Sequence, residues 1–156
     1  MVVATRRSTK EAVMANRQMM DVLVHSSELP WKPLGPGTAY RLLRVSAETG
    51  VWTVMLKMEA GAVFAPHKHL GAAEIFMLQG LTRDRQGLTR TGDYLYEPIG
   101  VEHEATTAIE DSLILFTAHG PIAFYNDKGG IGMVLDWEFF AQADAQDPNL
   151  SMKKAA

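Results

Sequence analysis

Short runs of β-prone residues, each closed by glycine, proline or another turn former within about ten residues, most narrow what this chain can fold into. Such runs occupy 38–46, 51–59, 62–69, 74–79, 81–86, 93–97, 102–107, 111–118, 121–126 and 131–136. The first two are joined by Ala47-Glu48-Thr49-Gly50, a compact turn that predicts a hairpin. Thirteen glycines and seven prolines, with groupings such as Gly35-Pro36-Gly37 and Gly129-Gly130, supply the remaining turns. Many short strands at even spacing predict an all-β barrel or jelly roll. After Asp136 the period changes: Trp137, Phe140 and Ala141 recur at helical spacing, which predicts one short C-terminal helix packed on the barrel or on a neighbouring subunit.

A length of 156 residues with 47% hydrophobic residues fills one core and leaves no room for a second complete domain. The barrel is expected over residues 26–148, between an N-terminal arm at 1–25 and a solvated tail at 149–156. The arm carries Arg6, Arg7, Lys10 and Arg17 and a weak helical pattern across Ala12, Val13, Met14, Met19 and Met20. It is read as a frayed or docked segment, because Glu11 and Asp21 speak against an organelle-targeting peptide. A net charge of −3 offers no basic surplus for a phosphate backbone, so nucleic acid is not an expected partner. No apolar run approaches the roughly 18–20 residues that span a bilayer, and no apolar signal stretch opens the chain, so a cytoplasmic protein without membrane contact is expected.

Cysteine is absent, which excludes a disulfide framework, a thiolate metal site and a thiol nucleophile. Any metal must be held by histidine or carboxylate. Five histidines are available: His25, His67, His69, His103 and His119. In Gly61-Ala-Val-Phe-Ala-Pro-His67-Lys-His69 two of them stand at i and i+2 on a β-prone run, so both imidazoles share one face and Lys68 takes the other. Two imidazoles from one strand make a rigid half of a site for a divalent transition metal. The later segment Gly92-Asp-Tyr-Leu-Tyr-Glu-Pro98-Ile-Gly100-Val-Glu-His103 sets tight turns before a third histidine that would close the site.

These two segments resemble the paired motifs of the cupin superfamily. Gly61, His67, His69 and Glu74 match the first motif; Gly92, Pro98, Gly100 and His103 match the second. The resemblance implies a double-stranded β-helix barrel with a metal inside, held by His67, His69 and His103, with Glu74 as the fourth ligand found in many cupins. Five residues rather than six separate Glu74 from Gly80: counted from His69 its carboxylate can point inward, and counted back from Gly80 it turns outward. Thr107 stands where the second motif often ends in asparagine.

Trp31-Lys-Pro-Leu-Gly-Pro-Gly, Glu48-Thr-Gly-Val-Trp-Thr and Gly120-Pro-Ile-Ala-Phe-Tyr-Asn-Asp extend the resemblance to ChrR-like cupins and to the acetylacetone-cleaving and 2,4'-dihydroxyacetophenone dioxygenases. That branch implies one divalent metal, iron(II) first, with zinc, nickel and manganese suited to the same donors. Its substrates would be O2 and a small β-diketone or hydroxyaryl ketone, bound through two oxygens to an ion that three neutral imidazoles leave positively charged. By the same resemblance Arg85 falls at a pocket arginine, and Phe64 and Thr106 at pocket-lining positions. Ile75 stands where a tyrosine can occur in the acetylacetone-cleaving type, which separates the substrates. A non-catalytic zinc-binding or sensing cupin and a metal-dependent isomerase are the alternatives, and a homodimer or homotetramer is expected. Glu102 and Glu104 flank His103 and by alternation face away from the metal; His119 reads as a hydrogen-bonded structural residue and His25 as a surface one.

Overall fold

The computed structural model describes residues 21–145; the sequence expectations for residues 1–20 and for the tail at 149–156 lie outside the described residues. After a single 3-10 turn at Ser26–Glu28, fourteen strands follow: β1 Lys32–Gly35, β2 Thr38–Val45, β3 Trp52–Met58, β4 Val63–Phe64, β5 His67–His69, β6 Ala73–Gln79, β7 Leu81–Asp84, β8 Gly87–Arg90, β9 Tyr94–Glu97, β10 Glu102–His103, β11 Thr106–Ala108, β12 Ser112–Ala118, β13 Ile122–Tyr125 and β14 Ile131–Leu135. One helix, α1 at Trp137–Ala145, ends the described chain. The ladders are antiparallel in three groups: β1-β2-β3-β12-β6-β9, β10-β5-β13-β14 and β4-β11-β7-β8.

Alternation decides which side chains fill the interior. In β3, Trp52, Val54, Leu56 and Met58 are buried while Thr53, Met55 and Lys57 are not; in β12, Ser112, Ile114, Phe116 and Ala118 are buried in the same rhythm. Ile122, Phe124 and Leu135 join the core from β13 and β14. Helix α1 closes one flank: Asp136 Oδ1 accepts from the Phe139 amide at 2.8 Å as an N-cap, and Phe140 packs edge-on to Tyr40 at 5.0 Å and against Trp52 at 4.7 Å. Trp52 in turn donates its indole N–H to Gly120 O at 3.1 Å, so the core aromatic pins the β12–β13 corner.

The expected 62–69 run divides into β4 and β5 because Pro66, having no N–H, interrupts the ladder. The run 102–107 likewise divides into β10 and β11 at Glu104-Ala105. Two strands escaped the sequence pattern. Edge strand β1 contains Pro33, and β8 is the return arm of a hairpin whose outgoing arm and turn make up the single expected run 81–86. The hairpin at 46–51 forms as expected, with Gly50 at φ +74° closing it and its N–H donating to Ser46 O at 2.9 Å.

One glycine contact fixes the corner behind the histidine strand. Gly71, just after β5, lies back to back with Gly120, and a Cβ on Gly71 would stand 2.5 Å from Gly120 Cα. Backbone cannot yield there as a flexible side chain would. Gly71→Ala is expected to lower unfolding free energy by about 1–3 kcal/mol, read as a lower denaturant midpoint at unchanged slope.

Candidate metal centre

β5 lies between β10 and β13, so both its neighbours are fixed by register. His103 stands opposite His67 on the β10 side; Phe124 stands opposite His67 and Ile122 opposite His69 on the β13 side. The turn leading into β10 is fastened to the same strand: Gly100 N–H donates to His69 O at 2.8 Å and His69 N–H to Val101 O at 2.9 Å. Gly100 adopts φ +84°, a conformation that side-chain-bearing residues rarely take, which gives the glycine of the second motif its physical purpose.

The consequence is three buried imidazoles on one inner face. His67 is 4%, His69 0% and His103 5% exposed, and one ring nitrogen from each lies within 4.8 Å of the others. His67 Nε2 and His69 Nε2 are 3.2 Å apart. His67 Nδ1 is 2.8 Å from Ala65 O, so as an N–H it donates there and leaves the Nε2 lone pair aimed into the cluster. Burial, with the neighbouring imidazoles, pushes His67 down to about 4 despite that bond, and neutral imidazole is the form that binds a metal.

A fourth buried polar residue, Glu97 at the end of β9, completes the cluster. Its Oε1 is 2.9 Å from His103 Nε2 and its Oε2 is 3.2 Å from His69 Nε2. Burial pushes this carboxyl up, but the contacts with His103 and His69 outweigh it and hold the acid down at about 2, so it is ionised at neutral pH. The same carboxylate, against the opposing effect of burial, raises His103 above the usual imidazole value. Despite these contacts, His103 Nε2 and Glu97 Oε2 are each buried without an aligned hydrogen bond. The nitrogens of His67, His69 and His103 converge closely enough to hold one cation, and the Glu97 carboxylate lies against two of them. The donor set, three imidazole nitrogens beside one carboxylate, suits iron, zinc, manganese, cobalt or nickel.

Glu74 requires a correction. Strand β6 turns Ala73, Ile75 and Met77 inward and Glu74 outward, where Oε1 accepts from Tyr94 Oη at 2.7 Å and Oε2 lies 2.8 Å from His119 Nε2. Leu70, Gly71 and Ala72 break the strand after His69, so β6 takes its facing from the β12 ladder, not from the histidines. Those contacts, the tyrosine first and the histidine second, hold Glu74 below the usual carboxylate range. His119 is thus an exposed hydrogen-bonded residue, Glu102 bonds outward to Lys68 and Tyr125, and His25 is exposed.

Phe64 reaches the cluster, its ring edge-on to His67 at 5.4 Å and to Phe124 at 5.1 Å. Thr106, half-buried, pairs with Phe64 across β11 and β4. Arg85 sits exposed on the β7–β8 turn; its positive charge lowers His103 while neighbouring Asp84 raises it. Sequence reasoning missed Glu97 and Phe124. In Tyr94-Leu95-Tyr96-Glu97 the period of two sets Leu95 and Glu97 on one face and both tyrosines on the other, a signal that would have placed the acid inside.

Comparison with solved structures gives the same architecture. A protein from Methylibium petroleiphilum PM1, provisionally assigned as an acetylacetone dioxygenase, is 29% identical with a TM-score of 0.75, over 80% of this chain and 94% of that one. An acetylacetone dioxygenase from Acinetobacter johnsonii is 25% identical with a TM-score of 0.74, over 92% and 97%. The structure of Rhodobacter sphaeroides SigE in complex with the anti-sigma ChrR matches at 23% identity and a TM-score of 0.53, over 76% and 69%, a likeness of fold. No curated protein sequence matches the chain. The family model of the ChrR cupin-like domain covers residues 19–123. That match spans more than half of the sequence, and the chain belongs to the ChrR cupin-like family.

Proposed function

We propose that this chain is a non-haem metal-dependent dioxygenase that cleaves a C–C bond in a small β-diketone or hydroxyaryl ketone, with iron(II) on His67, His69 and His103. The observation that carries the proposal is the buried convergence of three imidazole nitrogens beside the ionised Glu97 carboxylate. Likeness to the Acinetobacter johnsonii enzyme supports the reaction class. A divalent ion there would act as a Lewis acid and as a template for two substrate oxygens.

The residues around it have separable tasks. His67, anchored through Ala65 O, presents its Nε2 lone pair in one orientation. Glu97 braces His69 and His103 and places one negative charge beside them, so three neutral imidazoles and one carboxylate around a doubly charged ion keep a net positive site that favours an enolate anion. A carboxyl held at about 2 is a weak base, so Glu97 positions and neutralises rather than taking the substrate proton. Phe64 and Phe124 form an apolar wall against His67 that excludes water and offers aromatic edges to a flat substrate. Thr106 and Arg85 are the polar groups proposed to reach substrate oxygens, Arg85 from its turn. A second reading, metal binding without turnover, draws on the family's ChrR-like description.

Two outcomes are expected. After anaerobic loading with iron(II), an oxygen electrode should record uptake with members of a β-diketone and hydroxyacetophenone panel; zinc-loaded protein and His103→Ala should record none. No uptake with any member, together with tightly held native zinc, rejects the dioxygenase in favour of the second reading. Metal affinity, measured by competition with a chromophoric chelator, should rise with pH through a midpoint above the usual imidazole value, as His103 gives up the proton that Glu97 helps it retain. Glu97→Gln removes that help, so the midpoint should move to lower pH while affinity at high pH falls about 10- to 100-fold. A midpoint unmoved by Glu97→Gln contradicts the coupling.

A further inference from the structure

A β-diketone reaches a protein as a neutral carbon acid, so a reaction that runs through its enolate needs a group to take the proton between the two carbonyls. Glu97 is too weak a base and lies against two histidines. The remaining buried or half-buried carboxylates among the described residues have partners elsewhere, with one exception. Glu74 bonds to Tyr94 and His119 on the outer face, Asp136 caps the helix and Asp144 meets Lys32. The exception is Asp84, half-buried as the last residue of β7.

Strand register puts Asp84 on the inner face. Ala108 stands opposite Thr82 and donates its N–H to Ala62 O, and the three side chains are all buried. Two residues along each segment the same face recurs, at Asp84, Thr106 and Phe64. Phe64 pairs with Thr106, and one step beyond the Thr107–Arg83 pair the ladder brings Asp84 level with Thr106. This row starts at the metal centre, because Phe64 packs on His67. Two strand spacings, about 10 Å, separate Phe64 from Asp84, which leaves room for a small ketone between the imidazoles and the carboxylate.

The carboxylate is held at one oxygen and open at the other. Oδ1 accepts from Gln86 N–H at 2.7 Å, which fixes the side chain against its own turn. Among the described residues Oδ2 has neither a hydrogen-bond donor nor a cation at ion-pair distance. Across the hairpin Asp84 pairs with Gly87, which has no side chain to cover it, and a Cβ built there would meet nothing within 4 Å. A proton taken at Oδ2 therefore has a way out to solvent.

We propose that Asp84 is the general base of this site, its Oδ2 taking the proton from the carbon between the two carbonyls of a β-diketone. The C–H bond breaks, its electron pair stays on the substrate as the enolate, and an O–H bond forms on Asp84. That proton then passes to water on the uncovered β8 side, which restores the carboxylate. No oxidant enters the step. The inference rests on the dioxygenase reading and deepens it, because the β-diketone is the substrate class whose ionising proton lies on carbon, where transfer without a positioned base is slow.

Asp84→Asn keeps an oxygen for the Gln86 N–H but is no base, which separates the chemistry from the turn. Zinc-loaded full-length protein is mixed rapidly with acetylacetone in the absence of O2, and growth of the enolate's ultraviolet band is followed. Asp84→Asn should slow that growth about 100-fold or more. Trifluoroacetylacetone, already ionised near neutral pH, should bind the variant as fast as the wild type, and zinc affinity should be unchanged. Where Asp84→Asn lacks native circular dichroism, Asp84→Ser takes its place. Acetylacetone ionised at the wild-type rate by the variant overturns the proposal, as does equal slowing with both diketones, which marks a damaged pocket. No enolate on the wild-type protein overturns it as well. Oxygen uptake by the iron-loaded protein separates the two readings. Uptake indifferent to Asp84→Asn retires the base and keeps the dioxygenase, whereas Asp84-dependent enolate without uptake keeps the base and retires the dioxygenase.

Discussion

Placement of His103 opposite His67 is the contact on which the rest of this molecule depends. β10 is only two residues long, and the residues on either side of His103, Glu102 and Glu104, are both exposed acids. A one-residue slip in that pairing would rotate an acid into the barrel and the imidazole out of it. What prevents the slip is not β10 itself. The Pro98-to-Val101 turn clips its backbone to both sides of His69, so the distance along the chain from one histidine strand to the third histidine is set by hydrogen bonds to the histidine strand. Proline and glycine at their motif positions shape that turn.

Around this register the interior electrostatics are arranged so that one imidazole is kept neutral and another is biased toward charge. Burial works against protonation of both His67 and His103. Glu97 separates the two by contacting His103, along with His69, while His67 meets the Ala65 carbonyl and the His69 ring instead. A buried carboxylate without partners would be costly, by several kcal/mol in typical interiors. The cluster therefore holds together as a unit: acid and imidazoles offset one another, and a cation among the three histidine nitrogens would offset the remaining lone pairs.

Much of this was legible in the chain. Alternation in 51–59 and 111–118 specified β3 and β12 with their inward faces, and the spacing of Trp137, Phe140 and Ala141 specified the helix. His67 and His69 shared a face by period two, and the two motif spacings tied His103 to them. Glu74 was not legible because its facing depends on a break: three residues after His69 leave the ladder, and parity counted through a break carries no information. Strand β1 was hidden by Pro33, and β8 by the absence of any pattern stronger than its hairpin. Arg85 fell at a turn, where position along the chain fixes location but not direction.

The buried carboxylate of β9 and the exposed one of β6 follow from a single strand pairing. β6 and β9 are paired so that Ala73 stands opposite Glu97 and Glu74 opposite Tyr96. Ala73 is fully buried and contributes only a methyl group, which leaves room at that depth for the longer side chain across the ladder. The acid that alternation denies to β6 is thus supplied one strand over, at the neighbouring rung. Because the same two strands turn Glu74, Phe76, Tyr94 and Tyr96 outward, each residue gained for the interior fixes a residue on the outer face. The polarity of the exposed sheet and the donor set of the metal centre are two readings of one alternation, and neither can be altered by a register change without altering the other.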